Sequence, residues 1–364
     1  MFTEMPSVSS STEAQKREKI AQRLTGMRQS YAKLTHHRVV VLLVLGVLIL
    51  ASLLLDFSLG PAALSPMQLV HALLNPSSGM NAVIVWHIRL PYALMAVLVG
   101  LALGISGGEM QTILDNPLAS PFTLGVSAAA AFGASLAIVL QWHLPYMPET
   151  WMVPLEAFIF AVGSAVLLEL VARVRARSTT MVVLFGIALV FTFHALVSLM
   201  QFVADEDALQ ELVFWTMGSL TRASWGKIAV LAAGCLVVLP FCWRAAPAMT
   251  ALRLGEDRAA SYGVDVHRLR MMSLLRVSIL SALAVSFVGT IGFVGLVAPH
   301  IARRLLGEDH RFYLPGSALC GCLIMSLSSI AAKNIMSGVV IPVGIVTALV
   351  GIPFFLGVVL KRGR

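Results

Sequence analysis

The sequence predicts an all-α polytopic membrane protein with about ten transmembrane helices. Three observations carry that prediction. The 364 residues are 58% hydrophobic and only 12% charged, too little charge to cover the surface of a soluble domain of this length. Apolar runs of about 20 residues, long enough to cross a bilayer as helices, recur along most of the chain. Lysines and arginines gather in the links between alternate runs, as they do where basic loops fix orientation. The net charge of +8 therefore reflects topology and does not point to nucleic acid.

The chain opens with a polar, basic tail over residues 1–38. Ile20, Leu24, Met27, Tyr31 and Leu34 recur there at helical steps among Lys16, Arg17, Lys19, Arg23, Arg28 and Lys33. That is the pattern of a basic amphipathic helix suited to an anionic leaflet; a solvated tail with a frayed helix is the alternative. The first apolar run, 39–57, is too long for a signal-peptide core and lacks a convincing cleavage site, so it reads as an anchor. Further candidate spans follow at 90–111, 123–140, 152–173, 180–203, 225–242, 270–290, a short 293–304, 313–332 and 339–360. Residues 39–364 thus read as one membrane domain. The short run is too brief to cross unless protein or water occupies part of the layer beside it.

Charge sets the orientation. Arg173, Arg175 and Arg177, then Arg253, Arg258, Arg268 and Arg270, then Arg303, Arg304 and Arg311, and finally Lys361, Arg362 and Arg364 follow alternate spans. With an even number of spans, all of these clusters and both termini face the cytoplasm. Asp205, Glu206, Asp207 and Glu211 fall on the opposite side. A multi-pass protein of a bacterial cytoplasmic membrane is expected.

No catalytic constellation stands out. The chain has no HExxH, no GxSxG and no phosphate-cradling loop, since Gly226-Lys227 is followed by Ile without a glycine at the required offset. The chain is therefore expected not to be an enzyme and to hold no cofactor or metal of its own. Cys235, Cys242, Cys320 and Cys322 lie in or beside spans without metal-ligand spacing and read as small packing residues. His194, inside the fifth span, reads as a satisfied interior histidine rather than a ligand; whether it lines a path stays open. Intramembrane carboxylates are nearly absent, which argues against an ion-coupled secondary transporter.

The most informative polar segment is "LRLGEDRAASYGVDVHRLR", residues 252–270. It reads as two short helices separated by Gly255 and stopped by Gly263. Glu256 and Asp257 suit the positive end of the second helix dipole. Helices this short seldom persist unless they dock on something, which disfavours an interaction-only membrane scaffold.

At this point a resemblance can be named. "EDRAASYG" (256–263) resembles the coupling loop of ABC importer permeases. "RLP" (89–91), "NPLASPFTLGVS" (116–127), "GFVGLVAPHIARRLLGEDHR" (292–311) and "IPVGIVTALVGIPFF" (341–355) resemble, in family order, the iron-siderophore, haem and cobalamin permeases. The resemblance implies a type II ABC importer permease fold of ten helices. It also implies a second permease subunit, with a homodimer expected, two cytoplasmic ATP-binding subunits that bind ATP and Mg, and an extracytoplasmic substrate-binding protein. Asn116 and Leu118 with Ser178, Thr179 and Thr180 match the family's translocation gate. Gly255, Glu256, Asp257, Arg258, Ala259 and Gly263 match its ATPase-coupling element, within a loop at about 249–268. Arg89 and Lys333 match rim positions that dock the binding protein, although Tyr92 and Val340 replace a usual base and a usual acid. A ferric siderophore is the first expected cargo, haem the second and cobalamin the third.

Overall fold

Polar caps and sharp turns divide the apolar sequence into helices. A computed structural model describes residues 9–60, 64–76, 79–142, 147–174, 179–336 and 338–362; side chains are described there except at 9–21, 23, 149, 172–174, 179–180, 358–359 and 361–362. In chain order the α-helices are α1 (Ser9–Ser58), α2 (Pro66–Leu74), α3 (Gly79–Val83), α4 (Leu90–Ile113), α5 (Val126–Leu140), α6 (Glu149–Val174) and α7 (Thr179–Val203). They continue with α8 (Glu206–Thr216), α9 (Trp225–Leu252), α10 (Glu256–Ser261), α11 (Val266–Val288), α12 (Val294–Leu306), α13 (His310–Asn334) and α14 (Val343–Arg362). A π-helical turn, Ile84–Arg89, joins α3 to α4. Side chains of Ser65, Asp205, Ser224, Asp265 and Asp309 accept backbone N–H groups at the starts of α2, α8, α9, α11 and α13, the usual way of satisfying donors that have no partner within the helix.

Each expected run falls on a helix, but the expected count of ten is not reached by length and composition. Among the described residues seven helical stretches are long and apolar enough to cross a membrane: Leu24–Ser58, Gly79–Ile113, Thr150–Val171, Met181–Val203, Trp225–Leu252, Val266–Val288 and His310–Asn334. The other three runs give α5, α12 and the apolar part of α14, which are shorter. The first two are shortened by breaks. Residues 114–121, with Pro117 and Pro121, remain outside any helix before α5, and Phe293 takes a left-handed φ of 66° just before α12.

Tail and first span form one helix, with no interruption at residue 38. Leu24, Met27, Tyr31 and Leu34 on its outer part are exposed. It is tied to the bundle by Arg38, which pairs with Asp309 at 3.4 Å, and by Arg311, which donates to the Tyr31 hydroxyl at 2.9 Å.

Among the long spanning helices, three are the most buried. The most apolar windows of the α3–α4 stretch, α11 and α13 are 67%, 72% and 61% buried, against 22%, 28% and 28% for α1, α7 and α9. The inner helices meet backbone to backbone. A Cβ on Gly100 would strike the carbonyl of Gly321 in α13, and one on Gly104 the carbonyl of Ser317. On the neighbouring face, a Cβ on Gly107 would strike the carbonyl of Gly295 in α12. Small residues at such spacing let helices approach closely where water supplies no drive for association.

Two ion pairs that the sequence did not reveal lie inside this bundle. Glu109 of α4, fully buried, accepts from Arg276 of α11, with Nη2–Oε2 at 2.9 Å and Nε 3.1 Å from both carboxylate oxygens. Arg276 also donates to the Ser273 hydroxyl at 2.8 Å. Asp56 of α1, equally buried, meets Lys333 of α13 at 2.9 Å and accepts from the Ser329 hydroxyl. Membrane-depth carboxylates are therefore present, and these two are each neutralised by a base.

Removing one member of a buried pair strands the other. Glu109→Ala is expected to destabilise the protein by about 3–5 kcal/mol, and the double variant Glu109→Met/Arg276→Met to recover most of that loss. Thermal unfolding in detergent reads both; a double variant as unstable as the single one would show that the pair itself holds α4 to α11.

Candidate functional site

At the end where the basic clusters gather, the chain leaves α4 through a turn that two prolines keep from becoming a helix. Asp115 adopts φ 44°. The Asn116 side-chain oxygen accepts the Leu118 N–H at 3.0 Å, and the Ala119 N–H reaches the Asn116 carbonyl at 3.1 Å. Asn116 thus spends its amide oxygen on the turn, whereas Leu118 is 41% exposed. The segment then climbs beside α7. A Cβ on Gly125 would lie 3.0 Å from Leu189 and 3.4 Å from the Val190 nitrogen. Those positions lie roughly 15 Å along α7 from its start. Thr179 and Thr180 open α7 in backbone only, and Ser178 lies outside the described residues. How these three meet Asn116 and Leu118 is therefore not part of the described structure.

The expected coupling element forms beside that turn. Gly255 (φ 107°) and Gly263 (φ 81°) bracket α10, each in a conformation that side chains with a Cβ resist. Ala259 is fully buried and anchors α10 to the ends of α9 and α11. Glu256, Asp257, Arg258, Leu254 and Tyr262 face outward.

Two arginines, one at the end of α9 and one in α11, flank this helix and hold the end of α4 and its turn. Arg253 pairs with Asp115 of the turn and, at 2.7 Å, with Glu308. Arg270 pairs with Glu256 of α10 and donates through Nε to the Ile113 carbonyl at 3.1 Å, at the last residue of α4. Arg303 adds a bond to the Tyr313 hydroxyl at 3.1 Å, and Gln111 donates to the Leu296 carbonyl at 3.2 Å. His310, 1% exposed, sits between Thr112 of α4 (2.8 Å) and Thr250 of α9. The hydrogen bond from Arg253 holds the Glu308 carboxyl below the ordinary carboxylate range. Burial works against ionisation of Asp309, but Arg311 and Arg38 outweigh it and lower that carboxyl too.

At the opposite end, the structure departs from an exposed docking rim. Arg89 is 4% exposed and donates through Nη1 to the carbonyls of Phe57 (3.0 Å) and Ser58 (2.9 Å), closing the end of α1. Lys333, 7% exposed, is held by Asp56 and lies 4.4 Å from the centre of the Tyr92 ring. Both border a mostly apolar cavity of about 390 Å³. Their charges brace α1 against α4 and α13; the expectation of partly exposed rim charges rested on the resemblance, which matches positions along the chain and not their burial. The four cysteines are buried and free, and no cluster suited to a metal occurs among the described residues.

Comparison with known proteins agrees with this geometry. Residues 45–361 match the FecCD transport family. The hemin transport system permease protein of Yersinia pestis is 35% identical over 327 residues, covering 88% of this chain and 96% of the relative. The Fe(3+)-citrate import system permease protein of Bacillus subtilis is 34% identical, covering 86% and 93%. The vitamin B12 import system permease protein of Vibrio vulnificus is 38% identical, covering 75% and 82%. Among solved structures, a metal-chelate type ABC transporter in an inward-facing conformation superposes with a TM-score of 0.78 at 31% identity, covering 88% of this chain and 99% of that one.

Because Arg253 lowers the pKa of Glu308 on folding, the stabilisation of that pair is complete above the ordinary carboxylate range and is lost as pH falls through the folded value. The melting temperature of Arg253→Ala should therefore lie below that of the wild type near neutrality, and the gap should narrow below about pH 4. Scanning fluorimetry in detergent between pH 3 and 7 measures it.

Proposed function

Since this chain belongs to the FecCD transport family, we propose that it is the membrane-spanning permease of an ABC importer that carries an iron complex into the cytoplasm. The observation that carries the reading is a pair of arginines on either side of α10: Arg253 at the end of α9 holds Asp115 of the turn after α4, and Arg270 of α11 holds both Glu256 of α10 and the Ile113 carbonyl. Arg270 gives a force applied at α10 a short, charged route to Ile113, and Arg253 ties the adjoining end of α9 to Asp115. In this reading the basic end and both termini face the cytoplasm, α10 docks on an ATP-binding partner, and ten helices complete the bundle. Two such partners bind ATP and Mg, and this chain binds neither. A second permease subunit, in a homodimer, closes the path, with Leu118, Asn116, Ser178, Thr179 and Thr180 at its inner gate. An extracytoplasmic binding protein delivers the cargo. Arg89 and Lys333 contribute to its docking by holding that face in shape. This chain breaks no covalent bond.

A ferric siderophore is the proposed cargo, ahead of haem and cobalamin. The named relatives are hemin, ferric citrate and vitamin B12 systems, so the iron-complex reading rests on the sequence resemblance and not on a count of relatives. Glu109 and Asp56 offer nothing to an ion-coupled carrier, because they are already occupied by Arg276 and Lys333.

Two measurements test the reading. With its cognate ATPase and binding protein in liposomes, the permease should support ATP-dependent uptake, while the chain stripped of every partner hydrolyses no ATP. Activity that survives that removal would sink the importer reading. Gly263→Val forces a β-branched residue into a left-handed conformation, a strain of about 1–3 kcal/mol. It should uncouple hydrolysis from uptake or prevent assembly. Normal uptake with a normal yield of complex would remove α10 from the mechanism.

A further inference from the structure

One stripe of α7 is polar on an otherwise apolar helix. His194, Ser198 and Gln201 follow one another at steps of four and three, so they stack on one side. His194 and Ser198 are exposed and Gln201 half-buried. Among the described residues none of these three side chains has a hydrogen-bond partner within the chain. They border a cavity of about 260 Å³ that Phe122, Thr216 and Thr290 also line.

Those last three residues matter because each belongs to a break in the helical layer. Phe122 starts the 3-10 turn before α5, Thr216 ends α8, and Thr290 lies in the link between α11 and α12. The Thr290 hydroxyl donates to the Thr216 carbonyl, and the Ser219 N–H reaches the Val288 carbonyl at 2.7 Å, so two of the breaks close on each other. Irregular backbone at membrane depth persists only where protein or a water-filled space lies beside it, and unpartnered polar groups facing hydrocarbon would be costly. The stripe and the breaks therefore identify the same wet space. No Asp, Glu, Lys or Arg lines it, so it offers neutral donors and acceptors that bind and release readily.

We propose that His194, Ser198 and Gln201 form a polar station within the translocation path that hydrogen-bonds the oxygen ligands of an iron chelate in transit. The imidazole N–H, the hydroxyl and the carboxamide N–H would meet carboxylate, hydroxamate or catecholate oxygens at the chelate's periphery. This rests on the importer reading and adds to it the cargo-contacting residues and the chemistry they select.

The test uses the complete complex of permease, ATPase and binding protein in liposomes, with ferric citrate, a ferric trihydroxamate, hemin and cobalamin as probes. If the wild type moves none of them with ATP, the importer reading fails, not merely the station. Where an oxygen-ligated ferric probe is moved, His194→Ala and Gln201→Leu should each lower uptake by about fivefold, the scale of one hydrogen bond, with ATP hydrolysis unchanged. His194→Gln should retain most of the rate. Single cysteines at 194, 198 and 201, in a background without the four native ones, should react with a membrane-impermeant maleimide, and the moved probe should slow the reaction. Unreactive cysteines, unchanged uptake in both variants, or transport of cobalamin alone would overturn the proposal. A loss confined to hemin that His194→Gln does not rescue would overturn it in favour of metal ligation by the imidazole.

Discussion

Every break in a helix that lies deep in an apolar layer must find partners for the N–H and C=O groups it releases. Here they are found by bringing breaks together. The link between α11 and α12 closes on the end of α8 through Thr290 and Ser219, and the N–H of Gly344 at the start of α14 reaches the carbonyl of Gly218 in the same knot at 3.2 Å. The short helix α12 lies at backbone distance from α4 at Gly107, and the short helix α5 lies at backbone distance from α6 at Gly133. The glycine seam and the irregular segments solve one problem: room and partners for backbone where water is scarce.

Charge follows a related logic. Inside the bundle, Glu109 with Arg276 and Asp56 with Lys333 are complete pairs, so neither end of either pair is left desolvated alone. At the basic end, arginines are divided between carboxylates of different segments. Arg253 serves both Asp115 and Glu308, and Arg270 serves both Glu256 and a helix-terminal carbonyl. Exposed pairs of this kind add little stability one by one. What they add is registry among α4, α9, α10, α11 and α13.

Much of this was legible in the sequence for reasons that can be named. Long runs such as 180–203 and 313–332 are apolar throughout, and length alone separates them from strands. Glu256 and Asp257 after Gly255, with Gly263 beyond, mark a short helix because caps and dipoles act locally. Contacts over long separations left no such mark. Glu109 and Arg276 lie 167 residues apart and Asp56 and Lys333 lie 277 apart, and a list of charges says nothing about which of them meet. That is also why Arg89 and Lys333 read as rim residues. Their partners are the end of α1 and a single aspartate hidden in an apolar run. The runs at 123–140 and 293–304 form the short helices α5 and α12, bounded on one side by the breaks at 114–121 and 289–293. His194 was read alone, although Ser198 and Gln201, at steps of four and three, carried the signal of a shared face.

The glycine seam has a mechanical consequence. Where side chains separate two helices, rotamer changes absorb small displacements, and the joint is soft. Gly100 and Gly104 rest directly on the main chain of α13, and Gly107 on that of α12, so little there can yield without moving a whole helix. Stiffness of this kind makes α4, α12 and α13 a strut. A push delivered at Ile113 or Asp115 is not dissipated along it but arrives at the far end of the bundle almost undiminished. Compliance is then left to the thinly packed periphery, where α7 stands.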